Sequence, residues 1–381
     1  MNNNLIKFNE PPVVGTEINF IKTAIKNKNL SGDGQFTKLC HNWFNNYLNC
    51  PLALLTPSCT HALEMIALLL EIKDGDEVIM PSYTFVSTAN AFVLHGAKIV
   101  FVDINPNTMN IDETTIEGSI SDKTKAIVIV HYAGVSCNMD HLKRISRVHQ
   151  IPLIEDSAQA IMSEYNGVPL GSIGDMAAFS FHETKNITSG GEGGALIINN
   201  RKYSQRAEII REKGTNRSRF FRGMVDKYTW VDKGSSYLPS EIQAAYLYAQ
   251  LCDINRVTSS RLKCWNYYYT NLNILSLNNI SLPTIPKGCK HNGHIFYIKV
   301  KDYIIRQELI EFLRQNNIWA TFHYIPLHTS TAGLKYGIMR CEDKFTTVES
   351  EKLLRLPIYY GIKTEQMKKV VDAIKKFYSK Y

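Results

Sequence analysis

No stretch of this chain approaches eighteen consecutive apolar residues, so no membrane-spanning helix is expected. No run of five like charges occurs, and neither a C₂H₂ spacing nor an RNP-like motif is present, which argues against a nucleic-acid partner. The eight cysteines (Cys40, Cys50, Cys59, Cys137, Cys252, Cys264, Cys289 and Cys341) include no CxxC pair; neither a metal site nor a dithiol redox centre is indicated. No GxGxxG follows an early strand, which counts against a dinucleotide-dependent dehydrogenase. The opening MNNNLIKFNEPPVVG lacks a basic segment followed by an apolar one, so a cytoplasmic location is expected.

What is present is an ordinary globular composition, 44% hydrophobic and 20% charged over 381 residues, with a net charge of +8 that suits a small anionic substrate. Short β-branched runs at 77–80, 98–103, 126–131, 152–155, 177–181 and 195–198 alternate with helical patterns at 57–71, 84–95, 139–149 and 203–213. Near-continuous apolar strands alternating with helices predict an α/β fold whose large, mostly parallel sheet is covered on both faces. A single long helix is expected over 240–269. A strand at 294–300, a helix at 305–316, a strand at 319–322 and closing helices at 351–354 and 364–378 follow. The expected division is a large domain over 1–254 and a smaller α+β domain over 255–381.

Ligands in such folds bind beyond the carboxyl ends of the strands, where the polar clusters fall. The densest is MAAFSFHETKNITSGGEGGAL (176–196), which delivers Lys185 into a segment of hydroxyls and glycines. A lysine at a buried strand end suits a nucleophile, its amine kept partly neutral by desolvation; a lysine on an exposed turn is the plain alternative. Upstream, Ser58 precedes an apolar helix, leaving the Thr60 and His61 N–H groups as an anion site or simply as a capped start. In IEDSAQ (154–159) a carboxylate directly after a strand needs a cationic partner; Asp156 is either that partner's anchor or a helix cap. Gln159 offers a donor to a ring hydroxyl. Phe85 is either a stacking surface for a flat ring or core. The polar loop 234–241 could reach a phosphate, in its own subunit or across a dimer. An amine, a carboxylate for a pyridinium, an aromatic stacker and a phosphate site together form the set needed for pyridoxal 5′-phosphate.

The series GDEVIMPSYTFVSTANA (75–91), VHYAG (130–134), IEDSAQ (154–159), FSFHETKN (179–186), GGEGGAL (190–196), SSYLPSEIQAA (235–245) and FHYIPLH (322–328) resembles the nucleotide-sugar aminotransferases. These are aspartate-aminotransferase-like, fold type I pyridoxal-phosphate enzymes that work as homodimers. REKGTNRSRFFRGMVDKYTW (211–230) is most similar to the members that make dTDP-4-amino-4,6-dideoxygalactose. The resemblance implies that Lys185 binds the cofactor covalently and moves the proton, Asp156 pairs with the pyridine nitrogen, and Gln159 with the 3′-hydroxyl. Phe85 would stack on the ring; Thr60, His61 and Ser180 would hold the phosphate; His182 would lie near the cofactor. Ser236 takes the place of an asparagine that many relatives lend across the subunit boundary, so the active sites would be shared. Some relatives replace the lysine by histidine and act as dehydratases; the lysine here favours transamination.

On that resemblance the donor is L-glutamate and the acceptor a dTDP-4-keto-6-deoxyhexose aminated at C4. The product, dTDP-4-amino-4,6-dideoxy-D-galactose, would serve a surface polysaccharide. Arg217, Arg219, Arg222 and Lys227 would collar the diphosphate or, taken on their own, form a solvated loop. His323, Tyr324 and His328 would line the sugar side, although His328 could equally be structural. Amination at C3, the gluco-configured product and a non-catalytic regulatory paralogue stand as alternatives.

Overall fold

The computed structural model of the protein describes residues 5–277 and 279–379. Its centre is an eight-stranded sheet built from β1 (Leu52–Thr56), β2 (Glu77–Pro81), β3 (Lys98–Val102), β4 (Thr124–Val130), β5 (Leu153–Asp156), β6 (Met176–Ser180), β7 (Gly194–Ile198) and β8 (Gly337–Met339). The spatial order is β1-β7-β6-β5-β4-β2-β3-β8. All neighbours are parallel except β7, which runs antiparallel to both β1 and β6. The parallel majority is what the apolar strand pattern predicted. The exception follows from its connection: β6 returns through the loop 181–193 with no crossover helix, and only an antiparallel partner can be reached that way.

Because β1, β2, β4, β5 and β6 point the same way, Thr56, Pro81, Val130, Asp156 and Ser180 end at one edge of the sheet. Gly194 begins β7 at the same edge, opposite both Thr56 and Ser180. One face is covered by helices Cys59–Leu69, Val86–Val93 and Ser204–Arg211, whose Leu63, Ile66, Phe92 and Ile210 share a core with Val78, Met80 and Ile154. The other carries Glu17–Lys26, Gln35–Leu48 and Glu241–Cys252, and further along Met139–His149.

A separate core gathers Phe296, Ile298, Leu309, Leu313, Leu354, Val370 and Ile374, together with Ile6 from the start of the chain. It lies around a two-stranded antiparallel pair, Tyr297–Lys299 with Leu353–Arg355, and the helices Tyr303–Gln315 and Thr364–Tyr378. Helix Ile254–Leu272 joins the two cores: Ile254 and Val257 pack in the larger one, Cys264, Tyr268 and Leu272 in the smaller.

Several elements differ from the sequence expectation. The single helix over 240–269 is two, Glu241–Cys252 and Ile254–Leu272, broken at Asp253 (φ −109°, ψ 12°), which has left helical geometry. Residues 319–322 make only an isolated bridge, Thr321 to Arg355, and the helix expected at 351–354 is the end of helix Thr346–Lys352 followed by strand Leu353–Arg355.

Candidate active site

The loop after β6 is fixed by its own hydroxyls and amides. The Thr188 hydroxyl donates to the Phe181 carbonyl (3.0 Å), the Ser189 N–H to the same oxygen (3.0 Å), and the Glu183 N–H to Gly191 (2.9 Å). Asn186 is buried; its amide donates to Asn292 O (3.0 Å) and its oxygen receives His294 Nδ1–H (2.8 Å). Held from both sides, the loop sets Lys185 into a cavity of about 560 Å³ at the edge where the parallel strands end. Burial pushes the Lys185 amine down from the usual lysine range, against the opposing pull of Cys59 and Asp156.

Asp156 closes β5 on the wall of the same cavity and is 5% exposed. Its carboxylate accepts the Thr88 hydroxyl (2.7 Å) and the Ala158 N–H (3.1 Å), and Thr88 is in turn bonded to Thr84 (2.8 Å). Burial raises the carboxyl above its ordinary value, and these hydrogen bonds pull it back only in part. Among the described residues no cation forms an ion pair with it. A buried carboxylate in that condition favours a cationic partner, and a protonated pyridine ring nitrogen meets that need. Gln159 is oriented by the Ala133 N–H, which donates to its Oε1 (2.6 Å), so Nε2 is its donor side; one bond from Nε2 goes to Tyr324 Oη (2.9 Å).

The opposite wall is the start of helix Cys59–Leu69. Ser58 caps it, accepting the His61 N–H (3.2 Å) while its hydroxyl also pairs with His61 Nδ1 (2.9 Å). The cap thus consumes the His61 N–H that the sequence offered to a phosphate, and His61 packs edge-on against Tyr237. The Cys59 and Thr60 N–H groups of the first turn have no intrahelical acceptor. Ser58, Cys59, Thr60 and Ser180 all line the cavity. Gly194 makes the approach possible: a Cβ there would lie 2.3 Å from the Ser58 carbonyl carbon and 2.4 Å from Cys59 N. The hydroxyls of Thr60 and Ser180, with a positive helix end, match a phosphate.

Phe85 lies at the rim, 55% exposed, its ring 6.2 Å from that of Tyr324. His323 stacks on Tyr324 at 3.6 Å and bonds Tyr132 Oη through Nδ1 (2.8 Å); burial lowers its pKa well below the ordinary histidine range, so it is neutral. His182 lines the cavity too, hydrogen-bonded to Thr184 (2.9 Å) and 3.6 Å from Glu192.

The structure therefore brings Lys185, Asp156, Gln159, Phe85, Thr60, Ser180, His182, His323 and Tyr324 around one cavity. His61 stands behind the cap. His328 lies outside, bonding Ser82 Oγ (2.6 Å) and facing Asp343 (3.1 Å), which is the structural alternative for that residue. Ser236, Arg217 and Arg222 line a different cavity of about 850 Å³, and Arg219 and Lys227 line neither. Arg217 and Arg222 pair with Glu212 and Glu208. Sequence reasoning missed Thr88, which steadies Asp156, and Arg355, a half-buried cation on the cavity wall.

The donor set fits pyridoxal 5′-phosphate: a desolvated amine, a buried carboxylate lacking a cation, and hydroxyls at a helix start. The sequence matches the DegT/DnrJ/EryC1/StrS aminotransferase family over residues 13–375. An uncharacterised protein of Methanocaldococcus jannaschii is 35% identical over 97% of this chain and 96% of its own length. A protein of Geobacillus stearothermophilus named as a pleiotropic regulatory protein is 32% identical over 84% of each chain. A Streptococcus pneumoniae structure, described as a candidate sugar aminotransferase in its PLP form, superposes with a TM-score of 0.90 at 25% identity, covering 99% of both chains.

Proposed function

We propose, for a chain that belongs to the DegT/DnrJ/EryC1/StrS aminotransferase family and is a pyridoxal 5′-phosphate-dependent aminotransferase of fold type I, that L-glutamate is the amino donor and C4 of dTDP-4-keto-6-deoxy-D-glucose the acceptor. The product on this reading is dTDP-4-amino-4,6-dideoxy-D-galactose, made in the cytoplasm for a surface polysaccharide. The observation that carries the reading is a desolvated Lys185 in one cavity with a buried Asp156 that forms no ion pair among the described residues.

When bound, the cofactor supplies a carbonyl that takes up the amino group and a ring that stabilises a neighbouring carbanion. The rest is the work of side chains. Lys185 Nζ, its pKa lowered by burial, would move the proton between the substrate carbon that carries the nitrogen and the cofactor's carbonyl carbon. Asp156 keeps its charge toward the ring nitrogen, held by Thr88 and the Ala158 N–H. Thr60, Ser180 and the first turn of helix Cys59–Leu69 bind the phosphate, Gln159 Nε2 orients the ring, and Phe85 covers it. His323 and Tyr324, locked through Tyr132 and Gln159, face the sugar.

Arg217, Arg219, Arg222 and Lys227 serve the nucleotide, and Ser236 the cofactor phosphate, in the site of a partner subunit on this reading. Their position away from their own chain's Lys185 cavity supports that assignment. The division into domains 1–254 and 255–381 is proposed on the two cores, with helix Ile254–Leu272 shared between them.

The test is incubation with dTDP-4-keto-6-deoxyglucose, glutamate and pyridoxal phosphate, with the product configuration read by NMR. An axial C4 amine is expected. An equatorial amine or turnover only with the 3-keto sugar would overturn the substrate assignment. Cofactor binding without turnover would favour a regulator, the role named for the Geobacillus relative.

A further inference from the structure

Lys185 and Gln159 reach one cavity from two different loops, the first after β6 and the second after β5. The Lys185 loop is not stiff by itself: it runs into Gly190 and Gly191, both at positive φ (80° and 124°). A third segment, residues 292–294, joins the two loops, starting 106 positions after Asn186. Asn186, next to Lys185, donates to the Asn292 carbonyl (3.0 Å) and accepts from His294 Nδ1 (2.8 Å). The Asn292 side chain serves the other loop. Its amide donates to the Gln159 carbonyl (2.8 Å) and the Ile161 carbonyl (2.7 Å), while its oxygen accepts the His294 N–H (3.0 Å). Gln159 is thereby gripped twice, by Asn292 at its backbone and by the Ala133 N–H at its side chain (2.6 Å). Gly134 clears the space, since a Cβ there would lie 2.1 Å from Asn292 Oδ1.

Asn186, Asn292 and His294 are all buried. Neutral hydrogen bonds exchanged for water add little net stability, and apolar residues of the same shape would serve a core about equally well. What a satisfied polar network supplies is direction, because each bond demands a particular donor, acceptor and angle. The donors here leave no second arrangement. Asn186 commits its amino group to Asn292, so its oxygen faces His294, and the imidazole carries its proton on Nδ1. Burial, helped by the charges of Lys185, Arg261 and Arg355, holds the His294 pKa well below the ordinary histidine range, so the ring keeps that one neutral form. Misplacing a reacting group by about 1 Å costs on the order of 10²-fold in rate. The amine and the ring-orienting amide therefore need a common frame, and 292–294 is bonded to both loops.

We propose that Asn186, Asn292 and His294 form a positioning brace for the transamination, fixing Lys185 and Gln159 in register on one bound cofactor. This rests on the transaminase reading above. The test uses the holoenzyme, with the first half-reaction followed as bleaching of the cofactor's visible absorbance by glutamate and its rate expressed per bound cofactor. The cofactor dissociation constant is measured separately by equilibrium dialysis. His294→Asn, whose amide nitrogen can take the place of Nδ1, is compared with His294→Leu, which fills similar space without a donor. His294→Leu is expected to slow bleaching about tenfold or more at saturating glutamate, with the half-saturating concentration within about threefold of wild type. His294→Asn is expected to recover most of that rate. Asn292→Ala is expected to weaken cofactor binding about tenfold as well, because it releases Gln159. A wild-type rate per bound cofactor in His294→Leu, with only the urea unfolding midpoint lowered, overturns the proposal and leaves a structural staple. So does an equal loss in both His294 variants, or unchanged cofactor affinity in Asn292→Ala. Asn186→Ala, which removes both bonds at the Lys185 loop, takes the place of any variant that does not fold and is expected to lose rate as His294→Leu does. If glutamate does not bleach the wild-type enzyme, the transaminase reading falls and the positioning role with it.

Discussion

Asp156 owes its behaviour to a contradiction between neighbours: burial opposes its charge while Thr88 and the Ala158 N–H support it. A cationic ring nitrogen resolves the contradiction. Asp156→Asn is expected to lower the turnover rate on the order of 10²-fold or more, because the charge that stabilises the ring is lost. The apoprotein's thermal midpoint should move little, since an amide oxygen still accepts from Thr88. A near-normal rate would reduce Asp156 to an anchor for Thr88. Lys185, Asp156 and Gln159 were legible in the sequence because apolar runs give way to polar clusters there: Asp156 closes β5, and Gln159 and Lys185 follow shortly after the ends of β5 and β6. Thr88 and Arg355 were not. Thr88 lies inside helix Val86–Val93, where a threonine is unremarkable. Arg355 sits in the apolar LLRLPI, and its meaning depends on the smaller core meeting a loop 170 positions earlier in the chain.

Among the elements, helix Gln35–Leu48 shows most clearly why local reading fails. Its N-terminal residue is Gly34, which has no side chain to cap it. The cap comes from Glu241, whose buried carboxylate accepts the N–H groups of Gly34 (3.1 Å), Phe36 (2.7 Å) and Thr37 (3.0 Å) and the Thr37 hydroxyl. No start signal exists within the helix's own neighbourhood, so the helix was not predicted. Glycine is needed for the same reason, because a Cβ on Gly34 would lie 2.5 Å from the Glu241 carboxyl carbon. Glu241→Ala is expected to cost roughly 3 kcal/mol, from several charge-assisted bonds lost at a positive helix end. The measurement is the urea unfolding midpoint, and a change below about 0.5 kcal/mol, the size of an ordinary surface substitution, would contradict the capping role. Strand β1 escaped for another reason. Its sequence, LALLT, favours helix, and only the ladder with β7 holds it extended. By contrast, helix Thr364–Tyr378 matches its expected limits, because its apolar period is complete within itself.

At the scale of the whole molecule, the proposed homodimer with shared sites makes a quantitative prediction. Lys185→Ala lacks the amine but keeps loop 234–241; Ser236→Asp keeps the amine and places a negative charge where a partner's phosphate is proposed to sit. Each variant alone should be inactive. Mixed and exchanged, half the dimers are hybrids with one undamaged site of two, so up to about a quarter of wild-type activity per subunit should return. No recovery in verified hybrids would mean that each subunit builds its site alone.

The return of β8 to the large sheet bears on how the protein is made. Gly337, Ile338 and Met339 pair with Ile99, Val100 and Phe101, so the edge of a sheet begun by residue 52 is finished by residues from near the other end of the chain. During synthesis at about 5–20 residues per second, β3 waits for its partner while more than two hundred residues are added, on the order of ten seconds or more. Throughout that time KIVFV presents an apolar, unpaired edge, the kind that recruits other chains. A ribosome that stalls before residue 337 would release a chain with its large sheet permanently open on that side. Such fragments are expected to be insoluble, however well their first domain folds.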